Sequence, residues 1–85
     1  MKIINNYDYE NLFLYKQGNE LNISSHTGSV LELLASFQSL TDSKDYAIRK
    51  SEENINKVYL IQRWKDVVSC QFSVYETTLI SEVSQ

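Results

Sequence analysis

The chain has 85 residues, 42% of them hydrophobic and 22% charged, and a net charge of −3 from eleven acidic and eight basic side chains. That length fits one domain with a modest core, burying about 60–65% of the surface its unfolded chain exposes. The composition excludes a disordered polar chain. The scattered, mildly acidic charge argues against a nucleic-acid binder, which concentrates Lys and Arg against phosphates.

Cys70 is the only cysteine, so an internal disulfide is excluded and a reducing cytoplasm is the expected compartment. Met1 to Glu10 holds no apolar core of a secretory signal. No apolar run approaches the roughly 20 residues that span a bilayer, so no membrane partner is expected. Proline is absent, and Asn, Ser, Ile and Tyr are abundant, a usage common in AT-rich phage and mobile-element genes.

In chain order, Lys2 to Asn5 is expected to add a short edge strand. Asn11 to Ser25 reads as a β-hairpin, because Leu12, Leu14, Leu21 and Ile23 alternate with other residues at period two. Gly18 at the first central position suits a type II′ turn, which sets Lys16 opposite Leu21 and Leu14 opposite Ile23. Ser29 to Leu40 reads as the single helix. Ser29 and Glu32 match a capping box, and Val30, Leu33, Leu34, Phe37 and Leu40 recur at spacings of three and four. Thr41-Asp42-Ser43 would end it, and Asp45 to Lys50 would follow as a short strand carrying Tyr46 and Ile48. Ile55 to Trp64 and Val67 to Thr78 read as a long hairpin closed at Lys65-Asp66. The expected fold is α+β, one helix packed on one face of a four- to five-stranded antiparallel sheet, in the order (β)ββαβββ.

In the long hairpin, pairing Trp64 with Val67 sets Tyr59, Ile61, Val68, Cys70, Phe72 and Val74 on one face, which should pack under the helix. The other face carries Val58, Leu60, Gln62, Trp64, Val67, Ser69, Gln71 and Ser73 and no charge. Uncharged surfaces with aromatic anchors resemble binding interfaces, so Leu60, Gln62, Trp64, Ser69 and Gln71 are the candidate partner-binding residues. Local packing or a homodimer would use the same face.

Catalytic signals are weak. His26 is the only histidine and has no spaced nucleophile or acid, and Cys70 is expected in mid-strand as an inert thiol. One His and one Cys offer no metal-ligand spacing. Gly18 and Gly28, the only glycines, are too far apart for a phosphate loop, so neither cofactor nor metal is expected. Arg63, Trp64 and Lys65 could stack a single-stranded base, but no further basic residues support them. Acidic residues such as Asp42, Asp45, Glu52 and Glu53, expected in turns and at strand ends, could steer the chain to a basic partner such as a nuclease or nucleoprotein complex. The expected function is a non-enzymatic protein-binding module that inhibits a larger protein. Immunity proteins and phage anti-defence proteins such as anti-CRISPRs share its size and acidity. A homo-oligomeric structural or regulatory protein is the alternative, and a nucleic-acid-binding accessory the weaker third.

Overall fold

A computed structural model of the chain describes residues 9–23, 26–65 and 69–79, with backbone alone for 26–31 and 78–79. Among the described residues six elements follow one another: β1 (Tyr9–Lys16), β2 (Asn19–Leu21), β3 (His26–Phe37), α1 (Leu40–Glu53), β4 (Val58–Trp64) and β5 (Phe72–Leu79). The strands form one antiparallel sheet in the order β2-β1-β4-β5-β3, with α1 on one face. The α+β class is as the sequence implies, whereas the order is βββαββ rather than (β)ββαβββ. The expected strand at Lys2 to Asn5 lies outside the described residues.

The helix sits one element later than its spacing suggests. Ser29 to Leu40 is almost wholly β3, and Asp45 to Lys50 belongs to α1. The cause is visible in the pairing of β3 with β5. Val30 faces Thr77, Leu33 faces Tyr75, Glu32 faces Glu76 and Ala35 faces Val74, with irregularities between. Val30 to Glu32 and Leu33 to Ala35 each set three residues of β3 against two of β5, and His26 to Val30 sets five against three, so twelve residues oppose eight. Bulges of this kind insert unpaired residues and bend the strand. They give a strand the three- and four-residue spacing that otherwise marks a helix.

α1 hides its periodicity because its core-facing residues are small. Ser43, Ala47 and Ser51, each four residues apart, are fully buried. Ser39 caps the helix, its side chain accepting a hydrogen bond from the Asp42 amide at 3.3 Å. Thr41-Asp42-Ser43 is therefore the first turn and not a terminator. At the other end the Asn54 amide donates to the Lys50 carbonyl at 3.0 Å.

Small residues let the helix approach closely, and large side chains from the sheet fill the layer between. Tyr15, Tyr59, Ile61 and Val74 form this core with Ala47, joined by half-buried Phe13, Phe37, Tyr46 and Phe72. β4 is the central strand, and Val58 to Gln62 are all buried, which explains its continuous apolar run. Its register with β5 pairs Arg63 with Phe72 and Ile61 with Val74, four residues away from the expected one. An even shift preserves the faces, so Tyr59, Ile61, Phe72 and Val74 still pack under the helix. Cys70, however, leaves the strand and is exposed in the connection with φ 54°.

The first hairpin turns one residue earlier than expected. Gln17 and Gly18 both have positive φ, 52° and 79°, the signature of a type I′ turn, so Lys16 pairs with Asn19 and Leu14 with Leu21. A bulge between Asn11 and Phe13 moves Leu12 to the helix-side core, away from Leu14, Leu21 and Ile23. The turn is fastened to the end of α1. The Gly18 amide donates to Ser51 Oγ at 2.8 Å, and Lys16 Nζ donates to the Ile55 carbonyl at 3.3 Å. A side chain at Gly18 would meet the Glu52 carboxylate at 2.8 Å.

Replacing Ala47 with Leu is expected to force the helix off the sheet and cost about 1–3 kcal/mol by overpacking. Urea unfolding measures this as a lower midpoint at unchanged slope.

Candidate interaction surface

The sheet side away from α1 is built in cross-strand rows. One row runs through the paired residues Leu21, Leu14, Leu60, Tyr75 and Leu33. Leu14, Val58 and Leu60 form its buried centre, with Leu21, Ile23 and Tyr75 packed against them. The next row is polar. Gln62 Nε2 donates to Asn11 Oδ1 at 2.9 Å, Gln62 pairs with Ser73, and the hydroxyls of Ser73 and Ser36 are 3.0 Å apart. These hydrogen bonds satisfy polar groups that the chain has buried, and they hold the register.

The candidate residues accordingly divide. Leu60 is fully buried and Gln62 is 5% exposed, so both are covered by the chain itself. Trp64 and Gln71 are half-buried and Ser69 is exposed. Trp64 and Gln71 are neighbours, with the Trp64 amide donating to the Gln71 carbonyl at 2.9 Å. The accessible group therefore lies at one end of the sheet and does not extend across its whole face.

That end has a second aromatic ring. Tyr9 pairs with Trp64, and their ring centroids are 4.9 Å apart at 44°. The tilted geometry is one that aromatic quadrupoles favour, and it holds both rings in place. Across the strand, on the helix side, Glu10 Oε1 lies 3.5 Å from Arg63 Nη2 and 3.8 Å from Lys65 Nζ. Exposed pairs of this kind contribute about 0.2–1 kcal/mol each. Among the described residues, two cations lie against one carboxylate at this corner. Tyr9 and Glu10 carry no sequence signal for the site, because the β1 bulge obscures which residues of β1 lie beside Trp64.

The acidic residues are arranged differently from the expectation. Asp42, Asp45, Glu52 and Glu53 lie on exposed positions of α1, interleaved with Lys44, Arg49 and Lys50, and not in turns or at strand ends. Glu76 is tied to Lys57 Nζ at 2.7 Å, which raises the Lys57 pKa above its ordinary value. This mixed-charge helix surface is across the sheet from the aromatic pair.

For chemistry the described residues offer little. No group of three or more His, Cys, Asp or Glu that could hold a metal occurs among them. The His26 side chain lies outside the described part. No described helix is long and apolar enough to cross a membrane. One buried group stands out. The Tyr15 hydroxyl is enclosed with no hydrogen-bond partner, and burial, followed by the Glu20 carboxylate, pushes its pKa above 10.0.

A raised folded-state pKa means the folded protein holds its proton longer than the unfolded chain does. Stability from Tyr15 is therefore intact below about pH 10 and lost as pH rises through the folded value, and Lys57 acts in the same sense. Tyr15→Phe is expected to leave stability at pH 7 unchanged or up to about 1 kcal/mol higher, by removing an unsatisfied buried hydroxyl. It should also lessen the fall above pH 10. Thermal unfolding from pH 7 to 11 checks both.

No protein-family model, no curated protein and no solved structure matches this chain.

Proposed function

We propose that the chain is a small non-enzymatic protein-binding module that inhibits a larger protein, with its contact centred on the Tyr9–Trp64 pair. The observation that carries this reading is the pair itself: two large, half-buried rings fixed at the open end of the sheet. Trp, Tyr and Arg supply most of the energy of protein contacts, and rigid aromatic side chains lose little entropy on binding. Arg63 lies on the opposite face of the same strand end, exposed Ser69 extends from the adjoining connection, and Gln71 abuts Trp64 through the backbone. Leu60 and Gln62 act beneath as the support that fixes the strands.

The four exposed carboxylates of α1 outnumber its three basic residues by one, a slight excess that favours a basic partner, such as a protein that itself handles nucleic acid. Charge of this kind orients and accelerates encounter more than it strengthens the complex. Direct nucleic-acid binding is less favoured, since Glu10 draws on both nearby cations.

Trp64→Ala tests the proposal. With a tagged chain in extract of its native host, a protein retained by the unaltered chain is expected to be lost by the variant. The variant's unfolding free energy should fall by about 1 kcal/mol or less, the worth of an aromatic pair at a part-exposed site. Undiminished capture moves the contact elsewhere. A loss of several kcal/mol makes Trp64 a packing residue instead.

A further inference from the structure

Among the described residues one cross-strand pair sets like charges against each other. Glu32 of β3 is directly opposite Glu76 of β5, and Glu76 in turn is opposite Tyr59 of β4, on the sheet side that α1 covers. Directly opposed side chains in an antiparallel pair have Cβ atoms about 4.5–5.5 Å apart, so like charges placed there repel.

One cation answers this repulsion. Lys57 directly precedes β4, and its Nζ lies 2.7 Å from Glu76 Oε2, with the Glu76 side chain only 14% exposed. The hydrogen bond and charge of Glu76 hold the Lys57 ammonium protonated, and the Glu32 carboxylate adds to the same effect. Both carboxylates therefore act on one ammonium.

The place of this cluster along β3 gives it a consequence. On the C-terminal side the strand is anchored: Leu34 and Phe37 pack on the helix-side core, and the Ser36 and Ser73 hydroxyls meet at 3.0 Å. The break in register between Leu33 and Ala35 is backed by that core. On the N-terminal side the pairing with β5 is broken twice, between His26 and Val30 and between Val30 and Glu32. Bulges leave residues unpaired, and local opening occurs where few contacts oppose it. Glu32 thus marks the boundary between the part of β3 that the core holds and the part that rests on an interrupted ladder.

We propose that Lys57 is a latch: its ammonium, countering the opposed carboxylates of Glu76 and Glu32, keeps the N-terminal half of β3 closed on β5, and removing it opens that half while the rest of the sheet stays formed. Lys57 lies at the end of β4 remote from Trp64, so this inference stands or falls independently of the proposed function.

Amide hydrogen exchange of the full chain, read residue by residue by NMR, tests the latch. Lys57→Met removes the charge and keeps an unbranched side chain. The protected amides of residues 26–32 should then exchange about three- to tenfold faster, from one lost ion pair and one unanswered repulsion. Those of residues 34–37 and 59–62 should keep their rates. Adding Glu32→Lys to Lys57→Met places a cation directly opposite Glu76 and should return residues 26–32 to within about twofold of their original rates. Lys50→Met, which removes the cation of the Lys50–Glu53 pair on α1, should leave β3 unchanged. Unchanged exchange in Lys57→Met would overturn the proposal, as would acceleration shared equally by β4, or no recovery with Glu32→Lys. Should Lys57→Met fail to fold, Glu32→Gln in the otherwise unaltered chain decides: slower exchange at residues 26–32 supports the latch, and unchanged rates overturn it.

Discussion

The approach of α1 to the sheet rests on three small residues. Ser43, Ala47 and Ser51 are fully buried, and their size brings the helix backbone close to a sheet whose inner face is rich in large aromatic side chains. The volume of the core comes mainly from Tyr15, Tyr59, Phe13, Phe37 and Phe72, and less from the helix. Ser51 has a further task. Its hydroxyl donates back to the Ile48 carbonyl at 2.8 Å and accepts from the Gly18 amide, so the helix end and the first hairpin turn are fixed together.

With one helix on one face, the other side of the sheet needs its own cover. The chain provides it through Leu14, Val58 and Leu60 with Leu21, Ile23 and Tyr75 around them, and through the Asn11–Gln62 and Ser36–Ser73 contacts beside them. Among the described residues this second core leaves three accessible places with apolar character: the aromatic end at Tyr9 and Trp64, Leu33 on β3, and Ile55 in the turn after α1. The charged surface of α1, four carboxylates among three basic residues, lies across the sheet from the aromatic end.

The class of the fold and the sidedness of the sheet could be read from the residues; the position of the helix could not. Alternation along β4 and β5 places Tyr59, Ile61, Phe72 and Val74 toward the helix whether or not the register is right, because the true register differs by an even number. In β3, bulges imitate helical spacing, while α1 turns Ser and Ala inward and so shows no apolar stripe. Helix-forming Leu, Glu and Ala at 31–35 strengthen the wrong reading, since local propensity yields to tertiary pairing. That Trp64 lies on the sheet side away from the helix was legible from the alternation of β4. Its companion Tyr9 was not, because the β1 bulge near Leu12 breaks the alternation that would have placed it. Nor could alternation alone show that Leu60 and Gln62 would be covered, since the cover comes from β1, β2 and β5.

Every argument about surfaces depends on α1 being Leu40–Glu53 and on His26–Phe37 being a strand. Backbone carbon chemical shifts across residues 26–53 test that assignment directly. The expected result is extended values up to Phe37 and helical values from Leu40 to Glu53. Helical shifts over 29–40 with extended shifts over 45–50 would contradict it, and with it the small-residue stripe, the Glu32–Glu76 opposition and the placement of the charged helix surface.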